Sequence, residues 1–139
     1  MEPEHRSIAL VSTSGAIVPG EFLLWDEAPE NAEQVRVRLH FRNEEIAREA
    51  DEYFSALLLI RSDLEALGLI PRCYGASRNV FPSGMSRGMG VGDRAYKLTL
   101  GRQARTIDLV NLFDEGPDVD PVSIEAQELY FREWLRSLS

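Results

Sequence analysis

The chain has 139 residues, 44% of them hydrophobic and 27% charged, which is enough apolar content for one buried core and excludes a disordered chain. A single cysteine, Cys73, excludes an intramolecular disulfide and points to a reducing, cytoplasmic compartment. The formal charge of −8 works against nonspecific binding to nucleic acid, and no run approaches the roughly 18 apolar residues that span a membrane.

Residues 1–6 read as a flexible acidic tail without the basic start of a signal peptide. Residues 7–12 and 21–25 read as strands around a turn at Pro19 and Gly20. An acidic polar loop covers 26–33. Residues 35–42 then alternate strictly: Val35, Val37, Leu39 and Phe41 take one face, and Arg36, Arg38, His40 and Arg42 take the other. Period two is the mark of a half-buried strand with a basic outer face.

A long helix is expected next, with Asn43 as N-cap and Glu44 and Glu45 in the first turn. Ile46, Ala50, Tyr53, Phe54, Leu57, Ile60, Leu64 and Leu67 keep helical spacing, and Gly68 supplies the stop. Pro71 makes 69–74 an edge strand at best. A Gly/Arg-rich loop over 75–94 leads into an alternating strand at 95–100, and a further strand is expected around Ile107, Leu109 and Val110. After the turn-rich stretch DEGPDVDP, Asp120 and Pro121 open a C-terminal helix that runs to about Leu138.

This order predicts a single α+β domain over 1–139, with an antiparallel or mixed sheet of about five to six strands. The long central helix and the C-terminal helix cover one face. The other face is then solvated and carries Arg36, Arg38, His40, Lys97 and Thr99. The C-terminal helix is apolar around more than one stripe (Ile124, Ala126, Leu129, Tyr130, Phe131, Trp134, Leu135, Leu138). It is therefore buried on two sides, or one side meets a partner, as in a homodimer.

Charge is unevenly spread. Between Arg72 and Arg105 there are seven basic residues and one acid, Asp93; the rest of the chain is strongly acidic. Within this basic segment several phosphate-binding signatures fail. No Gly-Lys pair exists for a nucleotide-binding P-loop. GVGDRA fits a dinucleotide-type spacing but leads into a strand rather than a helix. Cys73 and Arg78 are one residue too close for a cysteine-phosphatase loop. Ser86 stands in G-M-S-R-G, yet Pro82 before it and glycines after it do not make a nucleophile elbow. Two histidines and one cysteine do not make a common zinc site, the acids of 114–120 lack EF-hand spacing, and no metal or cofactor is expected.

Two functions fit what remains. The first is a small binding module, of the inhibitor or immunity type, that occludes a basic partner protein by charge complementarity. Its acidic face comes from 26–33 or from the stretch between Asp108 and Glu128, with Asp114, Glu115 and Asp118 foremost. The second is an enzyme or ligand-binding protein that holds a phosphorylated or carboxylated small molecule on loop 76–94. Arg78, Ser86, Arg87 and Arg94 would grip the anion and His40 would carry a proton. Arg36, Arg38 and His40 serve either reading as an anion- or partner-binding face. Single-stranded RNA binding would need exposed aromatics on that face, and the strand at 35–42 has none.

Overall fold

The computed structural model describes residues 2–82 and 91–139. The fold is α+β. The main sheet contains β1 (Glu4–Ser12), β2 (Ile17–Trp25), β3 (Val35–Phe41), β4 (Glu44–Ala50) and β5 (Leu69–Pro71), in the order β4-β3-β2-β1-β5. Every pairing in it is antiparallel. A second antiparallel sheet has the order β6-β7-β8, from β6 (Val80–Phe81), β7 (Arg94–Lys97) and β8 (Leu109–Asn111). Two α-helices, α1 (Tyr53–Glu65) and α2 (Ile124–Ser137), complete the described secondary structure with 3-10 turns at Tyr74–Ala76 and Thr106–Asp108.

The first half of the expected long helix is a strand. Arg42 and Asn43 both adopt positive φ, 50° and 62°, which is the two-residue hairpin conformation whose twist matches that of the flanking strands. β4 therefore folds back along β3 with Ile46 opposite Leu39 and Ala50 opposite Val35. The helix proper begins ten residues after Asn43, and its cap is Glu52. The Glu52 carboxylate accepts from the amides of Phe54 and Ser55 at 3.0 Å each and from the Ser55 hydroxyl, satisfying donors that the first turn leaves open. The stop is where the sequence places it, at Gly68 with φ +71°.

Four smaller expectations also change. Glu4, His5 and Arg6 are not a loose tail; they pair with Leu24, Leu23 and Phe22. β7 ends at Lys97 and belongs to the second sheet, so Lys97 and Thr99 do not share the main sheet's solvated face. The cap of α2 is Ser123, whose Oγ accepts from the Ala126 amide at 3.1 Å; Asp120 and Pro121 lie before the helix, and Pro121 bridges to Ser77. Finally, α2 buries one stripe through Gln127 and Trp134, while Leu129 and Leu135 are 47% and 49% exposed.

The core sits between the main sheet and α1. Ile8, Leu10, Phe22, Leu24, Val35, Val37, Leu39 and Phe41 face Phe54, Leu57, Ile60 and Leu64. Phe113 meets Phe22 and Tyr53 edge-on at 5.1 and 5.5 Å. α2 lies over the second sheet, where Tyr96, Leu98 and Trp134 form a smaller cluster. Phe81 joins the two clusters, stacking on Phe131 at 4.1 Å and meeting Phe54 at 5.2 Å.

One polar knot crosses these layers. Arg61 is 1% exposed and donates to the carbonyls of Gly75 (3.1 Å) and Val122 (3.0 Å) and to Gln127 Oε1 (2.6 Å). Gln127, equally buried, turns its amide nitrogen to the carbonyls of Gly75, Ser77 and Val80. Burial lowers the Arg61 pKa to about 10, so the guanidinium stays protonated at neutral pH, held by oxygens of neutral groups.

Candidate interaction surfaces

Arg36, Arg38 and His40 do share the outer face of the main sheet, but each is already engaged there. Arg36 is opposite Trp25 across the β2–β3 ladder, and Arg38 is opposite Leu23. Both guanidinium groups lie over the Trp25 ring, 5.4 and 5.2 Å from its centroid. On the other side they meet β4: Arg36 with Glu49 at 3.7 Å, Arg38 with Glu45 at 3.2 Å and His40 with Glu45 at 3.3 Å. The Nε atoms of Arg36 and Arg38 are buried without a hydrogen bond of good geometry. Charge and the aromatic face hold them. Trp25 is consequently 8% exposed and offers no platform on which a nucleic-acid base can stack.

The acids of 114–120 are also engaged, by cations from four different parts of the chain. Asp114 pairs with Arg6, Glu115 with Arg72 at 4.0 Å, Asp118 with Lys97 at 3.1 Å and Asp120 with Arg78 at 2.9 Å. Asp118 also accepts from the Tyr74 hydroxyl at 2.6 Å. These two donors hold the Asp118 carboxyl below its ordinary pKa, and the same bond pushes the Tyr74 phenol up to about 12. Asp114, Glu115 and Asp118 thus act as clamps between elements, and they close the loop over the turn at Tyr74–Ala76.

This arrangement consumes much of the basic segment. Arg72, Arg78 and Lys97 are neutralised within the fold, and Arg78 is doubly tied because its amide donates to the Asp120 carbonyl at 2.9 Å. Arg94 is exposed and lines a cleft with Tyr74, Leu109, Val110, Asn111 and Asp114. Ser86 and Arg87 lie outside the described residues, as do Gly84, Met85, Gly88, Met89 and Gly90. Among the described residues, then, Arg78 is paired with Asp120 and lines a different cleft from that of Arg94.

Gly92, the last glycine of that stretch, has a structural task. Its φ is +71°, and a Cβ there would stand 2.7 Å from Glu52 Oε2. Next to it the Val91 carbonyl accepts from the Tyr53 amide at 3.0 Å. The lead-in to β7 thus seals the start of α1.

Among the described residues, three exposed glutamates without an ion-pair partner cluster on the β2–β3 connection, 26–33. Its backbone is closed by bonds from the Ala28 amide to the Gln34 carbonyl (2.7 Å) and from the Asn31 amide to the Ala28 carbonyl (3.1 Å). The Asn31 side chain accepts from the Glu33 amide at 3.1 Å. Ala28, 4% exposed, anchors it. Glu27, Glu30 and Glu33 project from this fixed loop, are exposed and have no ion-pair partner among the described residues. Asp51 follows Ala50, the partner of Val35, so its exposed side chain stands at the same end of the sheet. Asp26 at the loop's start accepts from the Tyr53 hydroxyl at 2.7 Å; burial first, and that bond second, raise the Tyr53 pKa. The acidic run in the sequence pointed to this loop, but its freedom from internal cations was not legible there.

Cys73 is fully buried, and burial pushes its thiol up to about 11, so it is no nucleophile at neutral pH. Among the described residues no group of three or more His, Cys, Asp or Glu side chains is placed to hold a metal ion, and no helix is long and apolar enough to cross a membrane. Comparison with known protein families and with curated proteins gives no match for this chain.

Proposed function

We propose that the chain is a protein-binding module, of the inhibitor type, that docks its 26–33 end onto a basic surface of a partner protein. One observation carries this reading: Glu27, Glu30 and Glu33 stand on a hydrogen-bonded loop and have no cation partner among the described residues, whereas the acids of 114–120 are each paired within the fold. A carboxylate set that is both rigid and unpaired attracts a cationic partner over a Debye length and docks with little ordering cost. A buried thiol without a disulfide partner suits a reducing compartment, and we place the protein in the cytoplasm.

The test is affinity capture at physiological salt from the cells in which the chain is expressed, with wild type beside Glu27→Lys/Glu30→Lys/Glu33→Lys. A stoichiometric complex with a basic protein is expected, with association slowed about tenfold or more by the reversal and by raised salt. A complex that forms equally well with the reversed loop contradicts the reading.

A further inference from the structure

The segment 98–108 forms a second surface, of opposite character, away from the acidic loop in sequence and built on α2. Thr99, Arg102, Gln103, Arg105 and Asp108 line a cleft of about 420 Å³. α2, from Tyr130 to Ser137, holds the loop's backbone at three points. The Tyr130 hydroxyl donates to the Leu98 carbonyl at 3.3 Å, the Trp134 indole donates to the Arg102 carbonyl at 2.8 Å, and Ser137 Oγ accepts from the Gly101 amide at 2.8 Å. Gly101 makes the turn at φ +81°. Every one of these contacts uses the loop's main chain; the Leu98 side chain is buried against Tyr96 and Trp134, while those of Thr99, Leu100, Arg102, Gln103, Arg105 and Ile107 are exposed.

The chemistry of those side chains is specific. The one carboxylate in the cleft, Asp108, is bound back onto the Arg105 amide at 3.0 Å. Arg102 and Arg105 are exposed and have no ion-pair partner among the described residues, unlike Arg72, Arg78 and Lys97 of the same basic segment. Beside them along the chain stand Ile107, 80% exposed, and Leu100, 48% exposed. Ile107 is the most exposed large hydrophobic side chain described. Two guanidinium groups unpaired among the described residues, with bare aliphatic side chains within two residues of each along the same loop, match a protein segment that carries both carboxylates and apolar side chains. A free phosphate or small carboxylate would leave Leu100 and Ile107 in water.

We infer that the face formed by residues 98–108 on α2 docks an acidic, apolar-bearing segment of a partner protein. The inference stands apart from the acidic loop at 26–33 and uses none of its residues.

The probe is a synthetic hexapeptide, Glu-Leu-Glu-Glu-Leu-Glu with blocked ends, titrated into the ¹⁵N-labelled full chain and followed by amide chemical shifts. Saturable shifts are expected at 98–108 and over Tyr130 to Ser137, weakened about tenfold or more in Arg102→Glu/Arg105→Glu. A Gln-for-Glu peptide, an Ala-for-Leu peptide and inorganic phosphate are each expected to bind markedly more weakly. The inference is overturned if no localised shifts appear, if they centre on Arg94 or Arg42 instead, or if the double variant binds as wild type. Equal binding by phosphate or by either control peptide overturns it as well. Should the double variant not fold, the two control peptides on the wild-type chain decide between the same outcomes.

Discussion

Arg61 and Gln127 are the residues on which the packing of α2 depends. Each lies on an apolar stripe, Arg61 with Leu57 and Leu64 at helical spacing and Gln127 with Tyr130 and Trp134. A polar residue on such a stripe is a readable flag of a buried partner. Which partner it finds is not readable, because the acceptors are carbonyls of Gly75, Ser77, Val80 and Val122, fixed only by the tertiary fold. Replacing Gln127 by Leu removes the amide donor to the Ser77 and Val80 carbonyls, one of the two donors to Gly75, and one acceptor of the buried Arg61 cation. The expected loss is about 3 kcal/mol or more, read as a lower denaturation midpoint in urea. Cys73 makes a second residue-level prediction: its thiol should resist an aromatic disulfide reagent at pH 8 in the native chain and react at once on unfolding. Tyr74 and Asp118 make a third. A phenol pushed up to about 12 stabilises the fold below its ordinary pKa of about 10 and loses that contribution as pH rises towards 12. The depressed Asp118 carboxyl stabilises above the usual carboxylate range and loses its contribution in acid. In Tyr74→Phe both limbs of the stability–pH profile should flatten.

At the scale of elements, the hairpin of β3 and β4 separates what the sequence makes legible from what it hides. β3 is plain because its alternation is strict. β4 is hidden because EEIAREA has strong helix formers and spaces Ile46 and Ala50 one turn apart, while strand pairing with β3 overrides both signals. Arg48 completes the disguise: it stands on the same side of the strand as Ile46 and Ala50, yet it is exposed and pairs with Asp63 of α1 at 2.7 Å. The Arg42–Asn43 pair was the available clue, two polar residues between two segments. Arg42→Asn with Asn43→Gly should raise stability by about 1 kcal/mol, because both positive φ values then cost less. A helix starting at Asn43 would instead lose stability. β4 is also the edge of the main sheet, and its four charged side chains guard that edge against pairing with another chain.

Across the whole molecule the charges divide into those used inside the fold and those left outside. Among the described residues the basic segment seen in the sequence divides: Arg72, Arg78 and Lys97 clamp the 114–120 loop, and Arg102 and Arg105, without an ion-pair partner, line a cleft on α2's side. Segment charge is legible in sequence, but the pairing that cancels it depends on elements more than twenty residues apart. This is why the sequence shows Asp114, Glu115 and Asp118 only as an acidic run, whereas in the fold each is paired with a cation from a distant element. The same division predicts two kinds of charge-reversal phenotype. Lysines at 114, 115 and 118 should cost stability, at roughly 0.5 kcal/mol per broken pair together with the repulsion they add. Lysines at 27, 30 and 33 should leave stability within about 0.5 kcal/mol of wild type.

The most direct measurement of the central claim is the association rate of the captured partner with the chain reversed at Glu27, Glu30 and Glu33, at matched thermal stability. The account predicts a rate at least about tenfold slower than wild type, with the wild-type rate itself falling steeply as salt is raised. An unchanged rate in the folded variant, or a wild-type rate indifferent to salt, would contradict it.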